Sequence, residues 1–66
     1  MRLKLNGEAV ELPPATTLAD VVARRAEGQR RVAVALNGEV VRRSDWATTV
    51  LVAGDAVEVL VAVAGG

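Results

Sequence analysis

Twice in 66 residues the string Leu-Asn-Gly-Glu interrupts an apolar segment, at 5–8 and again at 36–39. Asn-Gly between two such segments is the strongest short-range hairpin signal, because the favoured two-residue turn needs positive φ at both positions. Met1-Arg2-Leu3-Lys4-Leu5 alternates apolar and polar with the period of a half-buried strand. Glu8-Ala9-Val10-Glu11-Leu12 reads as its return strand, with Val10 and Leu12 inward, and Pro13-Pro14 ends it. Val32-Ala33-Val34-Ala35-Leu36 and the short Glu39-Val40-Val41 form the second pair. The segments flanking the two strings differ, so the repetition reads as two turns solved with the same chemistry rather than as an internal repeat.

Between the hairpins lies one helix. Thr17 is placed to cap it, with Asp20 three residues on in capping-box position. Leu18, Val21, Val22 and Ala26 share a face, Arg24 and Arg25 suit the last turn against the dipole, and Gly28 suits the position just past the end. The spacing predicts a helix over 18–27. After the second hairpin, Ser44 or Asp45 can cap a single turn carrying Trp46 and Ala47. Ala53-Gly54-Asp55 then turns into a last strand over about 56–63. Val57, Val59, Val61 and Val63 fall on one face of it, and Ala56, Glu58, Leu60 and Ala62 on the other.

Hairpin, helix, hairpin, turn and strand make an α+β order in which a mixed sheet covers one main helix. With the first and last strands parallel at its centre, this is the β-grasp, or ubiquitin-like, arrangement. A small open barrel would leave the amphipathic helix no face to cover. The expected division is a β-grasp domain over 1–63 and a C-terminal tail over 64–66.

A domain this small buries only about 60% of its unfolded surface, so each large side chain counts. Phe, Tyr, His and Cys are all absent. Trp46, the sole aromatic, is therefore expected to plug one end of a Val/Leu/Ala core rather than to anchor an interface. The eight basic and eight acidic residues cancel, which argues against nucleic acid as the main partner. Six Arg (24, 25, 30, 31, 42, 43) nevertheless cluster between 24 and 43. They read either as a solvated rim or as a docking surface for an acidic partner. Met1 opens directly into a strand pattern and no apolar run approaches membrane length, so a cytoplasmic protein with no membrane partner is expected.

Catalysis needs convergent polar groups, and this chain has few. Ser44 has no imidazole base, Glu8 and Glu11 do not form a buried pair, and Asp20, Asp45 and Asp55 have capping or turn explanations. No catalytic residue, metal site or bound cofactor is expected. The remaining reactive group is the carboxylate at the end of Ala64-Gly65-Gly66. Two glycines carry it on an arm thin enough for a narrow channel. Adenylation would turn it into a mixed anhydride whose AMP a sulfur nucleophile can displace, leaving a thiocarboxylate on Gly66. A terminal Gly-Gly is equally consistent with a frayed end.

The pattern of the whole chain bears on that choice. Val34-Ala35-Leu36-Asn37-Gly38-Glu39-Val40-Val41-Arg42-Arg43-Ser44-Asp45-Trp46, then Gly54-Asp55-Ala56-Val57-Glu58, then Ala64-Gly65-Gly66 resemble the ThiS family of sulfur carrier proteins of thiamin biosynthesis. The family usually has Pro where this chain has Arg42. The resemblance implies that Gly66 is the modified residue, with Gly65 and Ala64 as its tail. It implies adenylation by a ThiF-like activating enzyme, which uses ATP, and delivery of sulfur to a ThiG-like thiazole synthase. The carrier would be a monomer when free. Two neighbouring roles share the Gly-Gly end: the small subunit of molybdopterin synthase (MoaD), and a ubiquitin-like modifier joined through Gly66 to lysines. A non-covalent binding module with an inert tail is a further alternative. For docking, Leu60 and Ala62 are expected on the open face of the sheet, joined by Ala33 and Ala35 as a partner-binding patch.

Overall fold

Both Asn-Gly pairs adopt the backbone their chemistry favours: φ is 51° and 82° at Asn6 and Gly7, and 50° and 85° at Asn37 and Gly38. Asn tolerates the left-handed region better than other residues with a Cβ, and Gly carries no Cβ to clash. In the computed structural model, which describes residues 1–62, the first turn joins β1 (Arg2–Leu5) to β2 (Glu8–Glu11), and the second joins β3 (Val32–Leu36) to β4 (Glu39–Val41). Each closes a two-residue loop, with Leu5 opposite Glu8 and Leu36 opposite Glu39.

The last strand, β5 (Ala56–Val61), inserts between the hairpins, giving the order β2-β1-β5-β3-β4. It runs parallel to β1, with Lys4 opposite Ala56 and Leu5 opposite Val57. It runs antiparallel to β3 over five pairs, from Val32–Val61 to Leu36–Val57. Val63, expected as the last inward residue of this strand, lies outside the described residues.

Helix α1 (Leu18–Arg25) covers one face of the sheet. Its start follows the sequence closely. Thr17 Oγ1 accepts from the Asp20 N–H at 3.2 Å, and the Asp20 carboxylate accepts from the Thr17 N–H at 3.0 Å. The bond from the Thr17 backbone, then that from its hydroxyl, holds the Asp20 carboxyl below the usual carboxylate range. A depressed carboxylate stabilises the fold fully above its unfolded value and loses that contribution as the pH falls through the folded one. Stability is therefore expected to decline on acidification through and below the ordinary carboxylate range, and Asp20→Asn should flatten part of that limb. Urea titrations at stepped pH check this.

The end of the helix differs from expectation. It closes at Arg25 with Ala26 as the cap (φ −128°), two residues short of 27, and Gly28 reverses the chain at φ 79°. The Ala26 N–H still reaches Val22 O, and Gln29 N–H returns to Ala26 O, which gives two of the terminal carbonyls partners without another helical turn.

A 3-10 helix, Arg43–Thr48, carries Trp46. Neither Ser44 nor Asp45 caps it; Arg42 holds the cap position, with no side-chain cap bond. Asp45 instead sits 3.8 Å from Arg42 in an exposed ion pair, and its carbonyl accepts from the Thr48 and Thr49 hydroxyls. The core between sheet and helices comprises Leu3, Leu5, Leu18, Val21, Ala26, Val34, Trp46, Leu51, Val57 and Val59. Leu18, Leu51, Val34 and Val57 are almost wholly enclosed. Burying one such side chain is worth about 1.5–3 kcal/mol.

Candidate functional site

The alternation of β5 divides it cleanly. Val57 and Val59 are buried under α1, and Val61 is half-buried on the same side. Glu58, Leu60 and Ala62 point to the uncovered face of the sheet, where Leu60 is 70% exposed. Ala33 stands opposite Leu60, and Ala35 opposite Glu58. All four residues expected in the docking patch thus share one face: Ala33 and Ala62 exposed, Ala35 half-buried, Leu60 protruding. Arg31, Val32, Ala33, Leu60 and Ala62 line a shallow depression of about 270 Å³ on this side. Val40, opposite Ala35 and 79% exposed, extends the apolar surface to the edge strand. Sequence reading missed it, although counting parity through the second hairpin from Ala35 would have found it. Toward β1 and β2 the face becomes charged, with Arg2 bonded to Glu11 at 3.4 Å.

A larger depression, about 400 Å³, lies between the segment 12–16 and α1. Its acidic group, Asp20, is already committed to the helix cap. Among the described residues no group of three or more His, Cys, Asp or Glu side chains is placed to hold a metal ion, and no helix is long and apolar enough to cross a membrane.

Two of the clustered arginines have structural employment. The Arg43 guanidinium lies 4.9 Å from the centre of the Trp46 ring and donates to Arg30 O at 2.7 Å. Arg42 pairs with Asp45. Trp46 is 6% exposed and its indole N–H donates to Val41 O at 2.9 Å, the geometry of a plug rather than of an exposed anchor.

The two Asn side chains do more than shape turns. Asn37 Oδ1 accepts from the Ala56 N–H at 2.9 Å, while its Nδ2 donates to the Asp55 carboxylate at 3.0 Å. That buried carboxylate also accepts from the Val52 N–H, which fixes the entry to β5. At the other end of the strand, Asn6 Oδ1 accepts from the Val59 N–H at 2.8 Å and Asn6 Nδ2 donates to Val59 O at 3.3 Å. The repeated string therefore grips the central strand from both sides. The grip at Val59 spans 53 positions of sequence, beyond the reach of local pattern, and the repetition was its only trace.

Ala64, Gly65 and Gly66, the expected tail and its modified terminus, lie outside the described residues. The strand that precedes them in the chain is β5, whose uncovered side carries the apolar patch.

Residues 3–66 match the model of the ThiS family, a span that includes Gly66. The chain belongs to the ThiS family. Its fold agrees: the crystal structure of a thiamine biosynthesis protein (ThiS) from Geobacter metallireducens superimposes with a TM-score of 0.82 at 32% identity, covering 100% of both chains. The five-stranded mixed sheet over one helix is thus the β-grasp of ThiS proteins. A search of curated proteins finds no match. Membership in the ThiS family makes the chain a small carrier rather than a catalyst, in the class of sulfur carriers of thiamine biosynthesis.

Proposed function

We propose that this ThiS-family chain carries sulfur as a thiocarboxylate on Gly66 and releases it for formation of the thiazole ring of thiamine. The observation that supports this most strongly is the family match, which extends through Gly66. An oxygen of the Gly66 carboxylate attacks the α-phosphorus of ATP held by a ThiF-like activating enzyme, and pyrophosphate leaves. A hydrosulfide then attacks the carbonyl carbon. The C–S bond forms as the C–O bond to AMP breaks, AMP departs with the electron pair, and the proton goes to solvent. Oxidation states are unchanged, so these two steps need no reductant. A ThiG-like thiazole synthase receives the sulfur. The ATP belongs to the activating partner, and the carrier holds no cofactor of its own.

In this reading residues 1–63 are the body that partners grip and 64–66 the arm that enters their sites. The body is monomeric when free. The grip is the uncovered sheet face formed by Leu60, Ala62, Ala33 and Ala35, with Val40 at its margin. Small side chains around one protruding Leu suit an apolar socket in the partner. Leu60→Lys is expected to weaken binding to the activating enzyme at least about tenfold, the cost of losing a central apolar contact. Its melting temperature should barely move, because an exposed position contributes little to folding. Titration calorimetry beside thermal melts reads both quantities, and unchanged affinity would move the docking surface elsewhere. The thiocarboxylate itself is tested by intact mass after incubation with activating enzyme, ATP and sulfide.

A further inference from the structure

The grip of Asn6 on Val59 has a bearing on the tail. Along β5 the peptide groups of Leu60 and Ala62 face β3, as the bond from Ala62 N–H to Arg31 O shows. Those of Val57, Val59 and Val61 face β1. On that side the backbone ladder is short: Lys4 N–H reaches Asp55 O, Asn6 N–H reaches Val57 O, and the chain then turns away into β2. The Asn6 side chain takes over where the backbone leaves. Its amide presents an acceptor and a donor to Val59, as a peptide group would, and lengthens the ladder by one residue. At Val61 the N–H and C=O on this side have no partner among the described residues.

We propose that Asn6 is a positioning residue for the tail: by clamping Val59 it fixes the direction in which β5 delivers Gly66 to a partner's reaction centre. This rests on the reading of Gly66 as the modified terminus. From Val61 to Gly66 the chain can extend at most about 17 Å. With the clamp, strand β5 is held from both sides as far as Val59. Without it the hold on the β1 side ends at Val57, and beyond that residue the β3 ladder alone, which continues to Ala62, orients the strand. Misplacement of a reacting group by about 1 Å can lower a rate by as much as about a hundredfold.

The repeated string supplies its own control. Asn37 makes the same turn and grips the same strand, but at Ala56, the end away from the tail. Asn6→Gly and Asn37→Gly both keep a residue that accepts positive φ and both remove a side-chain clamp. A purely structural role makes the two variants alike; a positioning role separates them. With matched amounts of activating enzyme, ATP and sulfide, Asn6→Gly is expected to load sulfur about tenfold more slowly than the parent, through kcat and with KM for the carrier unchanged. The Val59 amide should exchange with solvent faster. Asn37→Gly should load at the parent rate even where its melting temperature falls as far. Asn6→Asp keeps the turn and the acceptor for the Val59 N–H but loses the donor, so it should show a smaller slowing. Parent-like loading by Asn6→Gly, or equal slowing by Asn37→Gly, overturns the proposal. A parent protein that takes up no sulfur at all overturns the carrier reading instead.

Discussion

Trp46→Ala is expected to unfold the domain, or to leave it at the edge of unfolding, at 25 °C. The ring is enclosed in the core with Leu18, Leu51 and Val34, its N–H is bonded to Val41 O, and Arg43 covers it. Truncating a buried Trp costs about 3–5 kcal/mol in lost burial and residual cavity. A domain of this length has only about 3–10 kcal/mol of stability in total. No Phe or Tyr shares the load, so neighbouring Val and Leu side chains cannot refill the space without moving the backbone. Trp46→Phe separates volume from hydrogen bonding. It keeps most of the apolar body but leaves Val41 O without its donor, for an expected loss of about 1–3 kcal/mol. Urea midpoints of the three proteins test the ordering. A Trp46→Ala protein that keeps its melting temperature and loses partner binding would make the Trp an interface anchor instead.

The second large effect is chemical. Removing Gly66, or extending the chain beyond it so that no free carboxylate remains there, is expected to abolish sulfur uptake completely while the fold persists. Separation of the two follows from where the stability resides. The buried hydrophobic residues run from Leu3 to Val59, and the last strand pairs of β5 involve Leu60 and Val61. All of these lie at least five residues before Gly66 in the chain. A shortened chain would present the Gly65 carboxylate one residue too early, by about 3.3–3.6 Å, too far from an activating centre for an in-line attack. Far-ultraviolet circular dichroism and melting curves should match the parent, whereas mass analysis after incubation should show no gain. A Gly66-deleted protein that still takes up sulfur would remove the terminus from the mechanism.

Much of the fold could be read because its signals are local. Asn-Gly dipeptides specify their turns through φ at two adjacent residues, and Thr17 with Asp20 announces a helix start through bonds three residues apart. Strand parity then assigns Leu60, Ala62, Ala33 and Ala35 to the uncovered face without coordinates. Features that escaped reading depend on distant partners. Leu51 lies in a stretch without periodicity; it is buried because the segment 49–51 pairs with Thr16, Thr17 and Leu18, through Leu51 N–H to Thr16 O and Leu18 N–H to Thr49 O. Asp55 has the local signature of a turn residue, and its bond to Asn37, 18 positions away, forms only where the second hairpin packs beside β5. The helix ends early because the backbone already leaves the helical path at Ala26, φ −128°, two residues before Gly28 turns the chain at φ 79°. For the site, the docking face was legible through alternation, whereas the Asn6 clamp on Val59 required the topology.

The most direct test of the carrier role is the intact mass of the protein isolated from its own host, with fragmentation to locate any change. The expected result is a population heavier by the difference between sulfur and oxygen, with the gain confined to Gly66. It should increase by the mass of the added group on alkylation of the thiocarboxylate, be lost on its hydrolysis, and be absent when the activating enzyme is deleted. A terminus that is always an ordinary carboxylate under sulfur-replete, thiamine-limited growth would contradict it. So would a terminus found only in amide linkage to lysines of other proteins.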